Sequence, residues 1–103
     1  MNDQLYKKFV LTARLTDNFE DVRPTLTEII DGMICKETKY PEAIRLLEHL
    51  ETLIYGEAET EASVSALRNY LNALDFIQTT KNKFDYLIIG PIDKNQNNKI
   101  SKA

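Results

Sequence analysis

Residues 41–56 of this chain read Pro-Glu-Ala-Ile-Arg-Leu-Leu-Glu-His-Leu-Glu-Thr-Leu-Ile-Tyr-Gly, and that pattern restricts it to folds in which amphipathic helices bury one another. Ala43, Leu46, Leu47, Leu50, Leu53 and Ile54 recur at steps of three and four, so they share one stripe of a helix. Pro41 suits the first helical position, where its missing N–H would have no partner anyway. Gly56 suits the left-handed residue just past a helix end, so the helix is predicted to stop there. A stripe of this kind needs an apolar surface of comparable size, and the rest of the chain has to supply it.

Three further segments carry the same period. A first helix is predicted from Asp3, as N-cap, to about Leu15. Its stripe is Leu5, Phe9, Val10 and Ala13, widened by Tyr6 and Leu11, with Lys7, Lys8 and Arg14 facing water. Thr16, Asp17 and Asn18 break it, because their side chains compete for backbone hydrogen bonds. Phe19, Val22, Leu26, Ile29, Ile30 and Met33 keep helical spacing across Pro24. A proline deep in a helix costs about 3 kcal/mol or more, so a short turn followed by a helix from near Pro24 to about Cys35 is expected. Thr25 with Glu28 forms a candidate capping box there, and Gly32 weakens the helix. A fourth helix, capped by Thr60, carries Val64, Leu67, Tyr70, Leu71, Leu74 and Ile77 on its inner face, with Asn69 and Asn72 opposite.

That pattern fails near Thr79–Asn82, since its continuation would place Lys81 and Asp85 on the buried stripe. The apolar run Phe84-Asp85-Tyr86-Leu87-Ile88-Ile89 before Gly90-Pro91 then reads as a brief strand, an extended segment or a last helical turn, the favoured form being an extended or short helical lid over the core. Its apolar side chains are expected to be docked as far as Ile89, with Ile92 extending the contact. The fold class is therefore all-α: a small antiparallel four-helix bundle with a docked C-terminal segment, one domain over 1–92 and a flexible polar tail over 93–103.

Composition narrows the function classes. With 103 residues, 43% hydrophobic and 28% charged, the chain has the makings of one globular core and no second one. No apolar run is long enough to span a membrane. The opening Met-Asn-Asp-Gln-Leu-Tyr-Lys-Lys lacks the order of a signal peptide. A lone Cys35 rules out an internal disulfide, and the cytoplasm is the expected compartment. Catalytic equipment is sparse. His49 falls more than about 100° from the inner stripe of its helix, one turn being 3.6 residues, and reads as a surface residue; Cys35 reads as a small core residue or a partly exposed helix end. One Cys and one His cannot supply a zinc site, and Gly32, Gly56 and Gly90 are isolated rather than a phosphate loop. The sequence from Asp93 to Ile100 resembles the opening of a calcium loop but lacks the Glu at its twelfth position, so calcium binding is not expected. No cofactor, metal or enzymatic activity is expected.

Charge supplies the one functional pointer. From Glu42 to Glu61 six carboxylates stand against Arg45, whereas after Thr80 five lysines (Lys81, Lys83, Lys94, Lys99, Lys102) stand against Asp85 and Asp93. Tyr40 and Tyr55 flank the acidic stretch, and Tyr is favoured at interfaces. The candidate partner-binding residues are therefore Tyr40, Glu48, Glu51, Tyr55, Glu57, Glu59 and Glu61. The expected function is a non-enzymatic protein-binding module, such as an inhibitor, an immunity- or antitoxin-type factor or a chaperone, covering a basic partner surface. The alternative is a small dimeric regulator that contacts nucleic acid through its Lys-bearing C-terminal segment, although no cationic cluster is dense enough to neutralise several phosphates. Phe76, away from the inner stripe of the fourth helix, and Ala66 and Ala73 at its edge suggest a second contact, either with the Phe84–Ile89 segment folding back or, the favoured form, with another copy of the chain in a homodimer.

Overall fold

The computed structural model describes the backbone of residues 2–100 and the side chains of residues 2–88. Its order is α1 (Asp3–Leu15), a 3-10 turn (Phe19–Asp21), α2 (Arg23–Met33), α3 (Tyr40–Thr60) and α4 (Val64–Ile100), with no strand among the described residues. The chain is an all-α antiparallel bundle. Tyr40 at the start of α3 meets Phe84 late in α4, whereas Glu61 beyond the end of α3 meets Tyr70 early in α4, so the two helices run in opposite directions. α1 opposes α4 likewise: Asp17 bonds Ser65, and Phe9 stacks on Tyr70. Phe9, Leu26, Ile29, Leu47, Leu50, Ile54, Tyr70 and Ile77 are the large side chains of the shared core.

Local boundaries follow the capping chemistry, with several departures from the sequence reading. Asn2, not Asp3, caps α1, its side-chain oxygen accepting from the N–H groups of Gln4 and Leu5. Pro24 sits in the first turn of α2, where its missing donor costs nothing, and the chain reaches it through the turn capped by Asn18. Thr25 is buried inside α2 rather than forming a capping box. Gly56 does not end α3, which continues one more turn to Thr60; the backbone stays helical at Gly56, and a side chain there would meet no atom within 4 Å. Thr60 bonds back to the Glu57 carbonyl, and Ser63 takes over the cap of α4 by accepting from the Ala66 N–H.

α4 departs most from expectation. Residues 84–88 form neither a strand nor an extended lid; they continue α4 without a break. The obstacle was Lys81, which does lie on the inner side, its side chain only 13% exposed, but which is held by Glu51 at 2.8 Å. A neutralised lysine with a long apolar stem can occupy a place where an unpaired charge cannot. Docking reaches Phe84, whose ring meets Tyr40 at 5.6 Å; Tyr86, Leu87 and Ile88 stay about half exposed. The inner stripe is also rotated. Val64 and Leu71 face water, while Ala66, Ala73 and Asn69 are buried. The small alanines let neighbouring helices approach closely, and a pattern weighted by large side chains misses them. Phe76, expected to meet the folded-back 84–89 segment or another copy of the chain, packs instead against the Arg23 guanidinium at 5.4 Å. Ile89, Ile92, the Asp93 loop pattern and the tail 93–103 fall outside the residues whose side chains are described.

Candidate protein-binding face

The acidic stretch divides into groups that the helical period turns in different directions. Glu48, Thr52, Tyr55 and Glu59 follow one another at steps of four, three and four along α3, and all four are exposed. Tyr55 is 57% exposed in the middle of this stripe. Glu48 leans toward the edge of α4, its carboxylate 3.6 Å from the Lys81 ammonium and 56% exposed. Glu59 and Tyr55 have no ion pair or side-chain hydrogen bond among the described residues, and this outer face is their only environment.

Glu51 and Glu61 point inward and hold the bundle together. Glu51, 14% exposed, accepts from Lys81, and that bond, with the Glu48 charge beside it, holds the ammonium pKa above its ordinary value against the opposing effect of burial. Glu61 is a junction. Its carboxylate accepts from the Ser63 backbone N–H at 3.1 Å and from the Arg14 guanidinium at 3.0 Å, with the Tyr70 hydroxyl at 3.5 Å. The Ser63 N–H first and Arg14 second hold this carboxyl below the usual range, and Glu61 in turn holds Arg14 up. Burial, then the Glu61 charge, raises the Tyr70 hydroxyl. A carboxylate at this place also complements the positive end of α4.

Glu57 is turned toward α1, where the Tyr6 hydroxyl is buried without a hydrogen-bond partner among the described residues. Burial, and then the Glu57 charge, pushes that hydroxyl's pKa well above the ordinary tyrosine value. The two groups face one another outside hydrogen-bonding geometry. Tyr40 packs on Phe84 and remains 43% exposed. Of the seven residues singled out in the sequence, the structure thus brings Glu48, Tyr55 and Glu59 together on one solvent face, and distributes Tyr40, Glu51, Glu57 and Glu61 among contacts within the bundle.

Other chemistry-bearing groups were less legible. Arg23 lies over the rings of Phe19 and Phe76, at 5.6 Å and 5.4 Å, and forks onto Glu20 at 3.1 Å and 2.8 Å. These residues wall a cleft of about 520 Å3 shared with Asp75 and Lys83. The i, i+3 spacing of Glu20 and Arg23 was the only sequence signal for it. His49 is exposed on α3. Cys35 is exposed in the α2–α3 connection, where its N–H donates to the Thr38 hydroxyl. Among the described residues no three His, Cys, Asp or Glu side chains converge to hold a metal ion, and no helix is long and apolar enough to cross a membrane. Comparison with protein families, curated proteins and solved structures returns no match.

Proposed function

We propose that this protein is a non-enzymatic binding module of the inhibitor, immunity, antitoxin or chaperone kind, and that it covers a basic surface of another protein with the outer face of α3. The observation that carries this reading is the exposed Tyr55 between Glu48 and Glu59. An amphipathic ring flanked by solvated carboxylates matches the composition of interface anchors, where aromatic residues supply area and charge supplies encounter rate and register. The carboxylates that carry the internal contacts, Glu51 and Glu61 with Glu48 assisting at Lys81, leave Tyr55 and Glu59 without such a role, so these two can be altered without loss of the fold. The described part of the Lys-bearing segment supports a protein rather than a phosphate partner: Lys81 is taken up by Glu51, and Lys83 is followed by Asp85.

Affinity purification from the native cell with the intact chain, set beside the double variant Tyr55→Ala, Glu59→Lys, tests the proposal. A partner recovered by the first and lost by the second, released by moderate salt, is the expected result. Equal recovery by both would place the binding elsewhere.

A further inference from the structure

We propose that the cleft between the 3-10 turn and α4 is a binding site for a small zwitterion, an amino acid with an apolar side chain, whose carboxylate lies on Arg23 and whose ammonium lies on Asp75. This inference stands independently of the α3 face. The cleft, about 520 Å3 in volume, falls within the range of roughly 300–1,000 Å3 usual for small-molecule sites. Its walls combine two phenyl rings, Phe19 and Phe76, with four charged groups, Glu20, Arg23, Asp75 and Lys83.

The guanidinium is held in place before any ligand arrives. Glu20 accepts from Nε at 3.1 Å and from Nη2 at 2.8 Å, and the rings of Phe19 and Phe76 lie 5.6 Å and 5.4 Å from the guanidinium carbon. That fork uses two of the five guanidinium donors. The other edge, from Nη1 to Nη2, has no hydrogen-bond partner among the described residues and has the spacing to fork a second carboxylate. The same grip keeps Arg23 from collapsing onto Asp75. Asp75 is exposed on α4, and among the described residues its carboxylate forms no ion pair with Arg23 or Lys83. A free donor edge and a free carboxylate thus face one cleft without cancelling each other. An α-amino acid carries the two complementary groups on a single carbon, so one molecule can answer both.

Charge and shape then select the class of ligand. Two cations stand against two carboxylates in the cleft, so a net anion is opposed by Glu20 and Asp75, and a net cation by Arg23 and Lys83. A zwitterion avoids both penalties. Lys83 stands about two helical turns past Phe76, and helical side chains lean back toward the N-terminus, so its charge adds to the field at the carboxylate. The apolar side chain of the ligand packs on the ring surface of Phe19 and Phe76 that lines the cleft.

The test titrates the full chain, labelled with nitrogen-15, with L-phenylalanine and follows the backbone amide resonances. Saturable shifts at Arg23, Asp75 and Phe76, half complete at about 10 µM to 1 mM, are expected. Phenylethylamine lacks the carboxylate, phenylpropanoate lacks the ammonium and glycine lacks the ring. Each is expected to bind at least tenfold more weakly, the loss of a charged hydrogen bond or of the apolar contact. The decisive arm is Asp75→Asn, a change at an exposed position that leaves melting intact. It must weaken L-phenylalanine at least tenfold and leave phenylpropanoate unweakened, because that probe offers Asp75 nothing to hold. Absence of a saturable shift up to about 10 mM would overturn the proposal. So would equal binding of any of the three analogues, or L-phenylalanine binding to Asp75→Asn as tightly as to the wild type. Tyr55 and Glu59 lie on another helix, so their double variant must titrate as the wild type does, and this result is read separately from the fate of the α3 face.

Discussion

Replacing Asn69 offers the sharpest check on how the bundle is held. This side chain is 1% exposed, and its amide nitrogen donates to the carbonyls of Ala13 and Thr16 at 2.9 Å and 2.8 Å. Both carbonyls belong to the end of α1, where the last turn has no intrahelical donors, and no other N–H reaches them among the described residues. Asn69→Ala removes two hydrogen bonds worth about 1 kcal/mol each and leaves buried acceptors unpaired, so a loss of about 2–4 kcal/mol is expected. For a domain of this size that lowers Tm by roughly 10–20 °C. Asn69→Asp is isosteric yet exchanges a donor for a negative acceptor facing two carbonyl oxygens, so at neutral pH it should cost at least as much. Its pKa would be raised in the folded state, and the deficit should narrow as pH falls and the carboxyl becomes a donor. Urea titration followed by far-ultraviolet circular dichroism gives both numbers, with an unchanged slope against urea as the check on two-state behaviour. A loss below about 1 kcal/mol for the alanine variant would refute the argument, since no such cap could then be joining α1 to α4.

Four further outcomes follow from the same contacts. Gly56→Ala should stabilise by about 1 kcal/mol, because Gly56 lies inside α3 with open space where the new methyl goes; destabilisation on thermal melting would mean that the residue is a left-handed cap after all. Tyr6→Phe removes a buried hydroxyl with no partner, so stability at neutral pH should hold or rise by up to about 1 kcal/mol. Above pH 10 the unfolded chain ionises this tyrosine before the folded one does, so part of the wild-type alkaline loss should be missing in Tyr6→Phe. The Glu61 carboxyl is lowered in the fold, so its contribution is present above its ordinary value of 4.5 and is lost as pH falls through the lower folded value; acid melting curves of Glu61→Gln should show a shallower decline there. Lys81→Met and Glu51→Gln should be non-additive, with a coupling of about 1–2 kcal/mol in a double-mutant cycle, because either change alone strands the other group in a mostly buried place.

The sequence shows the helices more clearly than it shows their faces. α1, the Pro24 start of α2 and the stripe of α3 follow from large apolar residues at three- and four-residue steps, and such residues are inside because burying them is what makes the helices stable. Two kinds of residue defeat the same reasoning. Ala66, Ala73 and Asn69 contribute little hydrophobicity yet occupy the inner face of α4, because close approach of helices needs small side chains and the end of α1 needs a donor. Lys81 reads as a break in the pattern and is instead an internal cation, a result that depends on Glu51 being thirty positions away in sequence and 2.8 Å away in space. The candidate face was legible in composition and illegible in direction. Six carboxylates between Glu42 and Glu61 announce acidity, but only the wheel position separates Glu59, in water, from Glu61, in a junction with α1 and α4.

The contacts that tie α1 to α4 also bear on the order in which the chain folds. α3 and α4 are adjacent in sequence, joined by a three-residue connection, and can pair without closing a long loop. The Asn69 and Glu61 bonds to α1 instead join positions 56, 53 and 47 apart, and such closures cost entropy before any contact repays it. The α3–α4 hairpin should therefore form the nucleus, with α1 attaching after the rate-limiting barrier. Substitutions at Leu50 or Ile77 would then slow refolding, whereas Asn69→Ala would leave the refolding rate nearly untouched and show its whole effect as faster unfolding. The end of α1 is in that case a latch: it has little influence on whether the bundle assembles and sets how long it stays closed.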